Sequence, residues 1–203
     1  YLGPAEDLIA VFPKIDIEVP REEILAKMEG LYEEFSHYCA YADAYDAVRE
    51  DGEPRLSPTR LKKVPDWPEN LAIRDRRAEV KEQFGNVGER ACYFTEGGYC
   101  TLFSEGMKLA GNGGADDLIA HAAALVYEDE FGHMCKGIVG LDQEEMSDSD
   151  WSLMEDLSVE LQSLRIDMRN AQFSFPLSKD RVIAIRSGDI EPIVFDFEKA
   201  AAA

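Results

Sequence analysis

Apolar positions recur at helical spacing along most of this chain. Residues 4–12, PAEDLIAVF, predict a short helix with Pro4 in its first turn. The stretch FPKIDIEVP then interrupts the pattern, punctuated by Pro13 and Pro20. From Arg21 to about Glu50, the positions Ile24, Leu25, Met28, Leu31, Tyr32 and Phe35 predict one long helix. Four prolines and several basic residues between Asp51 and Pro68 read as a long connection. A helix resumes near Glu69, weakens around Gly85 and Gly88, and becomes strongly apolar from Ala91 to Ala110. GNGG, positions 111–114, is a tight turn, and the next helix runs from Asp116 to about Gly137.

A further helix is expected from about Asp148 to Phe173. Trp151, Met154, Leu157, Leu161, Leu164 and Met168 give it an amphipathic stripe. RVIAI and PIVFDF, separated by RSGDIE, predict a small β-hairpin. The expected fold is therefore mostly α: a four-helix bundle with a long second-to-third crossover, an extra C-terminal helix and a small β-hairpin tail. Residues 1–174 would form the bundle, with 51–68 as the crossover insertion, and 175–203 the hairpin extension.

Composition narrows the function classes. A chain of 203 residues, 45% apolar, can bury one sizeable core. A net charge of −20 argues against nucleic acid or an anionic membrane surface as partner. Cys39, Cys92, Cys100 and Cys135 form no Cys-x-x-Cys pair and sit in apolar helical patterns. They point to a reducing compartment, so a cytoplasmic location is expected. No apolar run approaches the roughly 18 residues that span a bilayer, and no charged-then-apolar leader opens the chain.

The chemistry lies in positions 127–134, YEDEFGHM, and 32–38, YEEFSHY. Glu130 precedes His133 by three residues, and Glu34 precedes His37 by three. Residues so spaced share one helix face, where a carboxylate and an imidazole can ligate one metal. The helix before GNGG offers Glu96 and Glu105. The midpoint of Glu96 and Glu130 falls at position 113, inside the turn, so an antiparallel pair sets them level; Glu105 is level with His121 instead. Nine residues apart, Glu96 and Glu105 lie about 180° around a helix, so only one faces the core. Cys92, Tyr93, Tyr99, Cys100 and Phe103 put Glu96 on the apolar side.

This constellation resembles the ferritin-like di-iron carboxylate superfamily, over residues 21–137. The resemblance implies a Glu-x-x-His from each of two helices and one Glu from each of the other two. EEFSH supplies Glu34 and His37, FTEGG supplies Glu96, and EDEFGH supplies Glu130 and His133. The fourth carboxylate has Glu6 as its upstream candidate. Asp156, Glu160 or a glutamate ahead of Tyr1 are the alternatives. The resemblance further implies a non-haem site of two iron ions, or manganese, that activates O2 as co-substrate to oxidise or oxygenate a small organic molecule. Electrons would come from an external donor, and a homodimer is compatible with this reading. A ferroxidase or iron-handling protein is one alternative, and a metal-free helical interaction subunit another.

Several other residues carry two readings. Tyr127 and Tyr41 share the metal-facing side of their helices; each is core packing with a satisfied hydroxyl, or a hydrogen-bonding or redox-active phenol beside the metals. Gly97 and Gly98 allow close helix packing, or leave room for substrate or dioxygen beside Glu96. Arg55, Arg60, Lys62, Lys63, Arg74, Arg76, Arg77 and Lys81 form a solvated crossover that pairs with the acidic surface, or meet an anionic substrate or acidic partner.

Overall fold

The computed structural model describes residues 2–191, and they are mostly helical. In chain order the helices are α1 Leu2–Val11, α2 Arg21–Val48, α3 Pro58–Leu61, α4 Pro68–Phe94, α5 Gly97–Met107, α6 Ala115–Ile138, α7 Asp148–Gln172 and α8 Lys179–Arg186. Short 3-10 turns occupy Phe12–Lys14 and Leu141–Gln143. The chain divides into two compact units. One comprises Tyr1–Val64 and Phe103–Asp129, the other Pro65–Leu102 and Glu130–Ala203.

In the first unit α1 packs on α2, burying Leu8 and Ile24. Between them Asp16 takes a left-handed φ of 58°, which its short side chain tolerates. Arg21 at the start of α2 donates to both Asp16 carboxylate oxygens, at 3.1 and 2.5 Å, and fixes the corner. The crossover contributes only the single turn of α3, and Lys62 just beyond it forms an ion pair with Glu6 of α1. Gly106 of α5 faces Ala123 of α6, with no space for a Cβ between them.

The second unit is built on α4 and α7. α4 is interrupted at Gly85, whose φ of 53° and ψ of −127° suit only a residue without a Cβ. The chain folds back there: the Cys92 thiol donates to the Arg77 carbonyl at 3.7 Å, and Lys81 lies 5.4 Å from the centre of the Tyr93 ring. A straight helix would set positions 77 and 92 about 22 Å apart along its axis. α7 packs along this folded-back element and buries Met154, Leu157 and Leu161 against Val80, Ala91 and Cys92. Ser147 and Asp150 form a capping box that starts α7, which supports the first turn by about 1 kcal/mol. Arg90 donates to the carbonyls of Gly137 and Val139, both at 3.0 Å, and pairs with Glu144, so it closes the C-terminal end of α6.

Two expectations need correction. The apolar stretch from Ala91 to Ala110 is not one helix, because Thr95 and Glu96 separate α4 from α5. The Thr95 hydroxyl donates to the Cys92 carbonyl at 2.7 Å, a bond of the kind with which threonine competes against helix. The other correction concerns the β-hairpin: RVIAI lies in α8, and no strand is present among the described residues. Ser178 caps α8 by accepting from the Arg181 amide at 3.2 Å, and Arg186 donates to Asp167 of α7 at 2.7 Å. An apolar run this short has no period that separates strand from helix, so the cap decides. PIVFDF lies outside the described residues.

Candidate metal centre

Glu96 occupies the break between α4 and α5, and the neighbouring backbone holds it there. Its own N–H donates to the Tyr93 carbonyl at 3.0 Å, and its carbonyl accepts from Tyr99 at 2.8 Å. Glu130 and His133 stand on one face of α6, as three-residue spacing requires. One ligand atom from each of Glu96, Glu130 and His133 lies within 4.8 Å of the others. Bonds of about 2.1 Å to a shared ion set ligand atoms no more than about 4.2 Å apart, so small side-chain movements suffice to close such a site. All three residues are half-buried.

The charges in this cluster are balanced by the protein. Arg77 pairs with Glu96 and also donates to the Thr95 hydroxyl at 3.3 Å. His133 Nδ1 lies 3.3 Å from Glu96 Oε2. Burial pushes the Glu96 carboxyl up, but the His133 hydrogen bond and the Arg77 charge outweigh it and hold the group below its usual value. That same hydrogen bond to Glu96 raises His133 against the opposing effect of burial. Beside the triad, burial and the Glu130 charge push the Cys100 thiol up to about 12, so it stays protonated at neutral pH in the metal-free chain.

The glycine pair next to Glu96 serves close packing. A Cβ on Gly97 would stand 2.5 Å from the Met134 sulfur, and one on Gly98 would stand 2.6 Å from Gln162 Oε1. α6 and α7 therefore approach this corner on both sides.

Glu34, His37 and Tyr41 belong to the first unit and line a cavity of about 320 Å³ with Leu2, Tyr38, Pro58 and Leu61. His37 Nε2 is 2.7 Å from Asp129 Oδ2, a partner adjacent to Glu130 in sequence. Tyr127 is half-buried on α6, two residues before Asp129. Glu6 is 63% exposed in its pair with Lys62, and Glu160 accepts from Arg76 at 2.8 Å on the surface. Asp156 and His121 are exposed, and Glu105 is 64% exposed beside Lys108.

Two arginines escape a reading of the pattern. Arg77 falls among the solvated crossover charges in sequence, yet it holds Glu96 across the fold-back at Gly85. Arg165 is 4% exposed on the buried stripe of α7, between Leu161 and Met168. Its spacing from those two residues is the signal that could have found it.

No helix among the described residues is long and apolar enough to cross a membrane. Comparison with protein family models, with curated proteins and with solved structures finds no match for this chain.

Proposed function

We propose that this protein is a ferritin-like, non-haem di-iron or manganese–iron oxidoreductase that uses O2 to oxidise or oxygenate a small organic substrate. The convergence of Glu96, Glu130 and His133 carries the reading, because two carboxylates and an imidazole are a donor set suited to iron and manganese. Such ions, when bound, supply the redox chemistry that activates dioxygen. The chain holds the ligands in register, with Glu96 fixed by its backbone at the α4–α5 break and Glu130 and His133 by one face of α6. The His133 hydrogen bond and the Arg77 charge keep Glu96 ionised in the metal-free chain, and a metal would have to displace both partners. An external donor supplies electrons, and the second Glu-x-x-His that the resemblance implies, Glu34 and His37, belongs to the first unit.

Anaerobic reduction of iron-loaded protein followed by air distinguishes the iron-dependent readings. One oxidation event per site, with further turnover only on renewed reductant, supports the oxygenase. Repeated oxidation of added ferrous iron with mineral growth supports a ferroxidase instead. The Arg77–Glu96–His133 network also supports a metal-free reading, in which the second unit is an interaction module stabilised by a polar cluster.

A further inference from the structure

A groove of about 660 Å³ lies in the second unit, between the end of α4 and one face of α7. Asp148, Trp151, Glu155, Ser158 and Gln162 recur along α7 at intervals of three or four residues, so they share that face. Phe94 and Thr95 come from the opposite side. The donors on this wall are largely spent inside the protein. The Ser158 hydroxyl donates to the Met154 carbonyl at 2.7 Å, and the Thr95 hydroxyl to the Cys92 carbonyl at 2.7 Å. The Gln162 amide nitrogen donates to the Thr95 carbonyl at 3.0 Å, while Trp151 and Ser152 keep their donors at the exposed rim. Among the described residues the carboxylates of Asp148 and Glu155 enter no ion pair or hydrogen bond, and no lysine or arginine lines the groove. Acceptors with negative charge suit a ligand that brings donors and positive charge, and an ammonium has three N–H donors and no acceptor.

The two ends differ. At Thr95, whose hydroxyl also accepts from Arg77 at 3.3 Å, the protein supplies a cation of its own. At Glu155 it supplies none, and the Trp151 ring, 43% exposed, stands one turn away where it can face a cation. The Gln162 bond sets position 162 level with Thr95, so Glu155 lies about 10 Å back along α7 at 1.5 Å per residue. Phe94 and the buried Met154 give the groove its apolar surface.

We propose that this groove binds a small organic amine, with its ammonium at Glu155 beside Trp151 and an apolar body of about 10 Å reaching towards Thr95. Thr95 adjoins Glu96, so the far end of that body lies beside the candidate metal cluster. Such an amine is then the substrate class of the oxidoreductase; that role rests on the oxidoreductase reading, and the binding does not.

n-Octylamine, n-octanol and octanoate serve as probes of about that length, titrated into the full chain with and without iron and followed by calorimetry. Wild type is expected to bind one octylamine per chain at least about tenfold more tightly than octanol, and octanoate more weakly than either. From butylamine to octylamine, affinity should rise about twofold per methylene, half the free energy of full burial because the groove is open, and then level off. Glu155→Gln should bring octylamine to the affinity of octanol. The melting temperature of the unliganded chain should not move, since the exposed carboxylate has no partner to lose. Glu29→Gln, at an exposed acid of α2 in the first unit, removes the same charge and should leave octylamine binding unchanged. Equal affinity for octylamine and octanol overturns the proposal, as does octylamine binding that Glu155→Gln leaves unchanged or that Glu29→Gln weakens equally. So does uptake of several octylamines per chain without saturation, the behaviour of a cation adsorbed on a chain of net charge −20. Iron counted in the same samples separates the two claims: octylamine bound selectively without iron defeats only the metal reading, and iron bound without selective octylamine defeats only the amine site.

Discussion

Arg77 and His133 compete with a metal for Glu96, and that competition is measurable one side chain at a time. Removing one partner of a well-buried ion pair costs about 3–5 kcal/mol. Glu96 and Arg77 are 15% and 21% exposed, so Arg77→Gln is expected to destabilise the metal-free chain by about 1–3 kcal/mol in urea unfolding. The same variant should bind iron or manganese more tightly, because a cation has been removed from beside the ligands. Equal metal affinity in both forms would leave Arg77 a purely structural residue. The two pKa shifts set the pH dependence. His133 is raised above its ordinary 6.5, so its contribution is complete below that value and is lost as pH rises through the raised one. Glu96 is held below its ordinary 4.5, so its contribution is present above that value and is lost as pH falls through the lowered one. The metal-free pair therefore stabilises most between about pH 4.5 and 6.5, and His133→Gln should remove a decline in stability on the alkaline side. Metal affinity should rise over that same alkaline interval, as His133 releases its proton.

The fold-back of α4 is the element on which the candidate site depends. It brings Arg77 to Glu96, which no continuous helix could do. A Cβ at Gly88 would collide with the backbone carbonyl oxygen of Val80, and backbone there cannot swing aside as a side-chain tip can. Gly88→Ala is therefore expected to cost about 1–3 kcal/mol by thermal or urea unfolding, with loss of metal affinity alongside. A variant as stable as wild type would mean that the helix does not turn back at this point. Apolar positions at a 3.6-residue period make α2, α6 and α7 legible in the sequence, to within about two residues at most ends; in α7 Met154, Leu157, Leu161 and Met168 are buried, whereas Leu25, Met28, Tyr32 and Phe35 of α2 are exposed. The fold-back is legible only as weakness at Gly85 and Gly88, because periodicity records which face is buried and not the direction of the chain. For α8 the informative residue is Ser178, whose cap says more than the five apolar and basic residues of RVIAI. Arg165 is hidden because an apolar stripe is read by its apolar members.

Sequence spacing names five residues, and the fold places three of them in one compact unit and two in the other. Glu96, Glu130 and His133 belong to the second, and Glu34 and His37 to the first. Spacing around GNGG points to Glu96 rather than Glu105 by counting back along one helix, but the break at Thr95 and Glu96 takes Glu96 off that helix, so the count alone does not set its place. No such count reaches across the long 51–68 connection, so the place of Glu34 and His37 lies beyond sequence reading. The most direct test is metal content, measured by elemental analysis on protein expressed with iron, beside Glu130→Ala. About two iron or manganese ions per chain, lost in the variant together with their stabilisation, is the expected result. Metal-free protein whose melting temperature is unmoved by Glu130→Ala would contradict it.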